Sequence, residues 1–284
     1  MHHIFIAGAG YTGMAVARHF RSKNQKVWAL TRSADKAAQL ESLGVAPVVR
    51  DLCGASSEAP LKIPPAHFVV ISLAPDERSE ESYRKTYVEA VGRLLAAMKA
   101  NPRPFLVVYL SSIGVYGDRA GAWVEESTPP EPDSERGRIL LEAENQVLES
   151  GFPALIFRLG GIYGPSRNPL ARLRKKEGES QARDAWLNLI HLEDIVGAME
   201  VLFNKGKEGG IYLGVDDEPV KRSEITGWLA RQPDFMDRVL PPGFKTDSTS
   251  GKRCSNKNLK ALGYSFRFPN FREGYQALIH SAEL

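Results

Sequence analysis

The chain has 284 residues, of which 43% are hydrophobic and 25% charged, and a formal net charge of +3 at pH 7. This length allows one large or two unequal domains with a substantial core, and the composition is that of an ordinary globular protein. The small net charge and the scattered basic residues argue against nucleic acid, so no nucleic-acid partner is expected.

The cysteine content and the start of the chain indicate the compartment. Cys53 and Cys254 are far apart and outside any Cys-x-x-Cys pattern, so neither a disulfide framework nor a metal site is predicted. The first predicted strand begins at residue 4 and leaves no room for a signal peptide. No apolar run approaches the roughly 18 residues of a membrane helix. We therefore expect a cytoplasmic protein without membrane association.

The first element is an apolar run, Ile4–Ala7, followed at once by a glycine-rich turn and a helix-compatible segment. In such a G-x-G-x-x-G turn the first glycine permits the bend, the second lets the backbone approach a pyrophosphate, and the third allows close packing of helix and strand. The order of strand, turn and helix predicts a dinucleotide site rather than the alternative, a purely structural turn. The expected cofactor-binding residues of the turn are Gly8, Gly10, Tyr11, Thr12 and Gly13.

Short apolar segments alternate with helical segments through the first 160 residues. The predicted strands are Ile4–Ala7, Val27–Thr31, Ala46–Arg50, Phe68–Leu73, Phe105–Leu110 and Ala154–Leu159. The predicted helices between them are Asp35–Leu43, Glu80–Ala100 and Ser134–Ser150. Near-continuous apolar strands are typical of a parallel sheet buried on both faces. The pattern therefore predicts an α/β fold with a Rossmann-type, doubly wound parallel sheet.

The pattern loosens after Gly164. The elements predicted there are the strands Asn188–His191 and Gly209–Val215 and the helices Glu193–Asn204, Ser223–Arg231 and Arg272 to the end, with loops at 165–185 and 232–258. We expect residues 1–164 to form an NAD(P)-binding Rossmann domain, completed by elements within 186–215. Residues 165–284 are expected to form a small substrate-binding lobe.

The end of the second strand distinguishes NAD from NADP. An acidic residue there would bind the ribose 2′-hydroxyl, but the segment carries Arg32 and Ser33, which could pair with a 2′-phosphate. NADP is therefore predicted and NAD is less favoured; the alternative is a surface arginine that opens a helix. Asp51 is placed to accept a hydrogen bond from the adenine amino group, although it could equally be a surface acid. Leu73 and Ala74 are also assigned to the cofactor site.

Five further motifs lie between residue 110 and the C-terminus: Leu110–Gly117, Arg158–Pro165, Ile190–Ile195, Leu259–Tyr264 and Pro269–Gly274. Together they resemble the extended short-chain dehydrogenase/reductases of the NAD(P)-dependent epimerase/dehydratase family. The resemblance covers nearly the whole chain and implies an oxidoreductase or epimerase-like enzyme acting on a small molecule.

The resemblance also assigns residues to the active site. Ser112 takes the place of the family's catalytic serine or threonine, and Gly160 and Gly161 lie where the backbone approaches the nicotinamide. The glycines of the turn are spaced two and three apart, which is similar to an atypical branch of the family.

The family's catalytic Tyr-x-x-x-Lys pair is missing. Alignment places Arg136 at the tyrosine and Leu140 at the lysine, and no tyrosine in the chain has a lysine four residues on. Arg136 cannot act as a general acid, because a guanidinium stays protonated. Leu140 lies on an apolar helix face and is predicted to pack in the core.

Three interpretations remain open. Another group could donate the proton, with Tyr116 the leading candidate, unless it is a packed aromatic whose hydroxyl is already satisfied. The protein could instead bind NADP without turnover as a sensor for a partner, or the fold could be a scaffold with an emptied site. The intact glycine turn argues against the scaffold.

Arginines near the start of the Ser134–Ser150 helix suggest an anionic substrate. Arg136 lies near Arg138, and Arg119 could add to a positive cleft that binds a nucleotide diphosphate or a carboxylate; the alternative is a solvated helix start. The expected substrate-binding residues are Arg136, Arg119 and His191. A homodimer could form if the Glu80–Ala100 helix pairs across a two-fold axis.

Overall fold

A computed structural model describes residues 1–54, 61–168, 184–233 and 249–281. The predicted loops at 165–185 and 232–258 fall largely outside the described residues. The strands of the described residues are β1 His3–Ala7, β2 Lys26–Thr31, β3 Ala46–Val49, β4 Phe68–Ile71, β5 Leu106–Ser112, β6 Trp123–Val124, β7 Ala154–Leu159, β8 Gly161–Tyr163, β9 Trp186–Leu187, β10 Leu189–His191, β11 Ile211–Gly214, β12 Val220–Lys221 and β13 Arg253–Cys254.

Seven of these strands form a central parallel sheet in the order β11-β7-β5-β4-β1-β2-β3. Ile4 of β1 pairs with Val27 of β2 on one side and with Phe68 of β4 on the other. The chain runs outward from β1 in both directions, which is the strand order of a doubly wound sheet, and the prediction of a Rossmann-type α/β fold is confirmed. Ligands of such sheets bind outside the carboxyl ends of the strands where the order reverses, here at β1 and β4.

Helices follow most strands of the sheet. Their bounds are α1 Tyr11–Ser22, α2 Ala34–Ser42, α3 Glu80–Tyr83, α4 Ala90–Met98, α5 Glu135–Leu148, α6 Leu192–Lys205, α7 Arg222–Leu229, α8 Lys257–Ala261 and α9 Phe271–His280. The predicted Glu80–Ala100 helix contains a wider π-helical turn, Arg84–Glu89, between α3 and α4, and a 3-10 turn, Ile113–Tyr116, follows β5. Within the predicted loop 232–258, the described part holds β13 and the start of α8, which its Pro- and Gly-rich composition did not indicate. Among the described residues, no helix is both long and apolar enough to cross a membrane.

The chain forms two compact units. The first unit comprises Met1–Val115, Pro132–Arg158 and Met199–Tyr212. The second unit comprises Tyr116–Glu131, Leu159–Ala198 and Leu213–Leu284. The division into a nucleotide-binding domain and a substrate lobe at residue 164 stays a prediction.

Each unit has its own core. In the first unit, residues of the strands pack against α4 and α5, and Phe5, Ile71, Leu94 and Val107 are fully buried. Removing such side chains from water supplies about 1.5–3 kcal/mol each, and this packing holds the carboxyl ends of β1, β4 and β5 in fixed positions. The second unit has an aromatic core made by Tyr163, Val220, Ile225, Leu229, Phe271, Tyr275 and Leu278.

Candidate functional site

The glycine turn between β1 and α1 requires glycine for two different reasons. Gly8 has a φ of +109°, and a Cβ there would lie 2.5 Å from the carbonyl oxygen of Ser72. A Cβ on Gly13 would lie 2.0 Å from the carbonyl oxygen of Gly8. These two glycines therefore allow the turn to pack tightly between β4 and α1. A Cβ on Gly10 would meet nothing within 4 Å, so the space in front of this residue is open.

The amino terminus of α1 is left without a side-chain cap. Its N-cap residue is Gly10, which makes no side-chain cap hydrogen bond, and its first turn has no acidic residue. An uncapped helix start combines unsatisfied N–H donors with the positive end of the helix dipole, which favours an anion. The open space at Gly10 and this uncapped helix fit a dinucleotide pyrophosphate. Tyr11 and the buried Thr12 lie in the first turn of α1.

The residues predicted to select the cofactor lie after β2 and β3. The exposed Arg32 uses both terminal nitrogens to bind the carboxylate of Asp76, and this hydrogen bonding lowers the pKa of Asp76 below its usual value. The hydroxyl of Ser33 caps α2, accepting a hydrogen bond from the Lys36 N–H at 3.3 Å. Asp51 accepts a hydrogen bond from the Cys53 N–H at 2.8 Å. Arg32 therefore already has an anionic partner.

Leu73 and Ala74 follow β4 beside the glycine turn. The Leu73 backbone nitrogen is 3.1 Å from the place where a Cβ on Gly8 would stand. Leu73 is half-buried and Ala74 is exposed. Both are thus carried by the segment that leaves the carboxyl end of β4, next to the strand that ends in the turn.

Ser112 ends β5 with its hydroxyl oxygen accepting a hydrogen bond from the Gly114 N–H at 3.0 Å. This bond orients the oxygen and does not use the hydroxyl proton, so the half-buried Ser112 retains a donor.

Tyr116 lies at the end of the 3-10 turn after β5. Its side chain is fully buried, and its hydroxyl donates to the carbonyl oxygen of Glu125 at 3.2 Å. This arrangement corresponds to the packed aromatic that the sequence left open as the alternative to a proton donor. Catalysis by Tyr116 would require this hydrogen bond to break.

Arg136 and Leu140 lie on α5, whose N-cap Ser134 accepts from the Gly137 N–H at 3.2 Å. Leu140 is buried. Arg136 is exposed, and its guanidinium carbon lies 5.8 Å from the ring centre of Tyr83, within the range of a cation–π contact.

The other two arginines near this sequence are paired with acids. Arg138 donates to Glu135 at 2.9 Å. In the second unit, Arg119 donates to Glu131 at 2.8 Å and also to two backbone carbonyls. Among the described residues Arg136 forms no ion pair, so of the three arginines it is the one whose charge is not balanced by a carboxylate.

His191 ends β10 in the second unit and is 2% exposed. Its Nδ1 accepts from the Glu193 N–H at 3.2 Å, and its ring centre lies 5.1 Å from that of Tyr163 and 4.1 Å from that of Phe268. Burial lowers the pKa of His191 to about 4, so its imidazole is neutral at pH 7 and brings no charge to an anionic substrate.

Gly160 and Gly161 follow β7 in the second unit. The Gly160 N–H donates to the Gly214 carbonyl at 2.9 Å, and the Gly161 N–H donates to the Asn188 carbonyl at 2.8 Å. A Cβ on Gly160 would lie 2.5 Å from that Asn188 oxygen. Close backbone packing therefore accounts for a glycine at position 160.

The sequence did not indicate a buried ionic cluster in the first unit. The Glu144 carboxylate accepts from the Arg158 guanidinium at 2.6 Å and from the Ser111 hydroxyl at 2.5 Å. Arg158 and Glu144 are 2% and 1% exposed. The cluster ties α5 to β5 and β7, and Ser111 precedes Ser112. An arginine inside an apolar strand was the sequence signal that could have indicated it.

A second missed residue is Asp216, which follows β11 in the second unit. It is 2% exposed, and one carboxylate oxygen accepts from the Glu218 N–H at 3.3 Å. Burial raises the pKa of Asp216 to about 8. Among the described residues, no group of His, Cys, Asp and Glu side chains could hold a metal ion.

Comparison with known proteins identifies relatives along the whole chain. The model of the NAD dependent epimerase/dehydratase family matches residues 4–213. Protein YeeZ of Escherichia coli (strain K12) is 29% identical over 283 residues, which cover 95% of this chain and 97% of YeeZ.

Two solved structures share the fold. MoeE5 in complex with UDP-glucose and NAD has a TM-score of 0.79 at 20% identity, with 98% of this chain and 97% of that chain covered. Human epimerase family protein SDR39U1 with NADPH has a TM-score of 0.75 at 15% identity, with 98% and 99% covered. Since the family model spans well over half of the sequence, the chain belongs to the NAD-dependent epimerase/dehydratase family.

Proposed function

We propose that this protein binds NADP(H) at the turn between β1 and α1 and acts as an oxidoreductase or epimerase-like enzyme on a small anionic or nucleotide-linked substrate. The start of α1 carries the proposal, because its N-cap Gly10 makes no side-chain cap and a Cβ at Gly10 would meet nothing within 4 Å. Gly8 and Gly13 hold the backbone close enough to form this anion site.

The choice of NADP over NAD rests on Arg32, with Ser33 beside it and no acid at the end of β2. A guanidinium suits a 2′-phosphate better than it suits a ribose hydroxyl. SDR39U1 is described with NADPH and MoeE5 with NAD, so both cofactors occur among proteins of this fold.

The proposed acid–base chemistry differs from that of the family, because Arg136 and Leu140 replace the tyrosine and the lysine. Bound NADP(H) would supply or accept a hydride at its nicotinamide. Ser112 is the proposed hydroxyl donor to a substrate oxygen, since Gly114 orients its oxygen and leaves its proton available. Tyr116 is a weaker candidate because its hydroxyl is buried and bonded to Glu125.

Arg136 is the proposed substrate anchor. Its charge is not paired with a carboxylate of the described residues, and the Tyr83 ring supports its guanidinium. A guanidinium in this state can bind a carboxylate or phosphate with two parallel hydrogen bonds. Arg119 and His191 are less suited to this role, because Arg119 is paired with Glu131 and His191 is buried and neutral.

Cofactor binding is tested with Gly10→Asp and Gly10→Ala. Aspartate is a favourable N-cap residue, so it should stabilise α1 while its carboxylate occupies the phosphate position. We expect Gly10→Asp to abolish the fluorescence change of NADPH on titration, and Gly10→Ala to weaken binding less. Unchanged NADPH binding by a folded Gly10→Asp protein would contradict the proposed site.

The anionic anchor is tested with Arg136→Ala, using Arg138→Ala as the matched control on the same helix. UDP-glucuronic acid and UDP-glucose are suitable calorimetric probes, because they differ by one carboxylate. We expect Arg136→Ala to weaken the binding of UDP-glucuronic acid about tenfold. Arg138→Ala should have little effect on the binding of either probe. Equal binding by wild type and Arg136→Ala would remove Arg136 from the substrate site.

A non-catalytic NADP(H) sensor is the second candidate function. The missing Tyr-x-x-x-Lys pair and the bonded hydroxyl of Tyr116 favour it. Oxidation of bound NADPH by any member of a carbonyl-compound panel would eliminate the sensor. Tight NADPH binding without turnover, together with a protein partner recovered only in the presence of NADPH, would favour it.

Three further predictions accompany this proposal. Cytoplasmic localisation is supported by the free thiols of Cys53 and Cys254.

A homodimer through the helical segment that begins at Glu80 is testable by light scattering of the purified protein. The assignment of residues 165–284 to substrate binding is testable by mapping crosslinks of a photoreactive nucleotide sugar.

A further inference from the structure

The ion pair between Arg32 and Asp76 crosses the cofactor edge of the sheet. Arg32 follows β2 and Asp76 follows β4, while β1 lies between these two strands. The pair therefore bridges the strand whose carboxyl end opens into the Gly8 turn. All of these residues belong to the first unit.

Asp76 occupies the part of Arg32 that would recognise a phosphate. Each terminal nitrogen of the guanidinium donates to a different oxygen of the Asp76 carboxylate. Carboxylate and phosphate both accept two parallel hydrogen bonds from this fork. While Asp76 holds both nitrogens, a 2′-phosphate meets an arginine whose charge is already balanced.

The pair is weak enough to exchange. The side chains of Arg32 and Asp76 are 51% and 59% exposed, and ion pairs of such exposure contribute little stability in water. A 2′-phosphate carries more negative charge than a carboxylate, so it can displace Asp76. NAD(H) lacks that phosphate and would leave the ion pair in place.

We propose that Asp76 is a specificity-determining residue that competes with the 2′-phosphate of NADP(H) for Arg32 and so reduces the preference for NADP(H) over NAD(H). This inference rests on the proposed binding of NADP(H) beside Arg32. Arg32 supplies the preference, and Asp76 limits its size.

The test measures dissociation constants of NADPH and NADH by nicotinamide fluorescence for Asp76→Asn, with Glu77→Gln as the control. Glu77 is the next residue, is exposed, and loses the same charge in its variant. We expect Asp76→Asn to bind NADPH about two- to fivefold more tightly, because an exposed ion pair no longer has to be exchanged. NADH affinity should change by less than about twofold, and Glu77→Gln should behave as wild type.

Several outcomes would overturn the inference. Weaker NADPH binding by Asp76→Asn would mean that Asp76 positions Arg32 rather than competing for it. An equal gain for both cofactors would indicate general charge repulsion, and unchanged affinities would show that the pair does not matter. The double variant Arg32→Ala/Asp76→Asn should show no gain over Arg32→Ala.

Measurements on Arg32→Ala distinguish a wrong assignment of NADP(H) from a wrong inference about Asp76. If Arg32→Ala loses no more affinity for NADPH than for NADH, Arg32 does not read the 2′-phosphate, and the cofactor preference is wrong. If Arg32→Ala selectively loses NADPH while Asp76→Asn has no effect, only the competition is wrong. Far-UV circular dichroism of each variant confirms that it is folded.

Discussion

At the scale of single residues, the burial of Asp216 makes the free energy of unfolding depend on pH. Its pKa of about 8 in the folded protein lies above the ordinary value of 3.8, because burial disfavours the carboxylate. Between about pH 4 and pH 8, the Asp216 carboxyl therefore keeps its proton in the folded protein but is ionised in the unfolded chain. Over that range the Asp216 contribution to the free energy of unfolding falls as pH rises, and it is constant above pH 8.

Replacement of Asp216 by asparagine should remove this loss. We expect Asp216→Asn to be more stable than wild type at pH 8, with the difference shrinking by about 1.4 kcal/mol each time the pH is lowered by one toward pH 4. Urea unfolding of both proteins across this range measures it. His191 gives the opposite slope between pH 6.5 and 4, because its pKa is lowered, but it is present in both proteins and cancels. A difference that does not change with pH would contradict the prediction.

The buried cluster of Glu144, Arg158 and Ser111 gives a second residue-scale prediction. Glu144→Ala leaves the Arg158 guanidinium buried without its carboxylate, which should cost about 3–5 kcal/mol of unfolding free energy. Ser111→Ala removes one hydrogen bond to the same carboxylate and should cost only about 1–3 kcal/mol. Equilibrium denaturation measures both. A Glu144→Ala cost no greater than that of Ser111→Ala would show that Arg158 finds another partner.

At the scale of elements, α5 and α1 differ at their starts. Ser134 caps α5 through its hydroxyl, whereas the N-cap of α1 is a glycine without a side chain. We expect Ser134→Ala to lower the unfolding free energy by about 1 kcal/mol and Ser134→Asp to retain it, because aspartate also accepts from the first turn. Thermal unfolding of the three proteins tests this. Equal losses in both variants would mean that capping is not the role of Ser134.

Most elements could be predicted from the sequence because their residues face a core on one or both sides. The bounds of β7 are the same in sequence and structure, and α2 is displaced by one residue from its prediction. The π-helical turn Arg84–Glu89 was not predicted, since its residues keep an ordinary helical pattern in the sequence.

The candidate site was predictable only where one local segment determines it. The close packing at Gly8 and Gly13 follows from the turn sequence itself, and the sequence contains no tyrosine with a lysine four residues on. The partners of Arg32 and Glu144 could not be predicted, because Asp76 and Arg158 come from distant segments that the fold brings together. The partner of the Tyr116 hydroxyl could not be named for a related reason, since it is the backbone carbonyl of Glu125, which sequence patterns do not mark.

At the scale of the whole molecule, the proposed cofactor site and the proposed acid–base groups lie on different elements. The helix start at Gly10 favours an anion whichever side chains occupy positions 136 and 140. This separation explains why the same features are compatible with an unusual enzyme and with a sensor.

Linkage between NADPH and global stability tests that separation. A ligand that binds only the folded protein raises the unfolding free energy by about 2.7 kcal/mol at a concentration 100 times its dissociation constant. We expect this gain in urea unfolding of wild type and of Arg136→Ala alike, because Arg136 is assigned to the substrate and not to the cofactor. Gly10→Asp should show no gain, since its carboxylate occupies the phosphate position. A smaller gain in the unfolding free energy of Arg136→Ala would mean that Arg136 contributes to cofactor binding. The cofactor site and the substrate site would then share this residue.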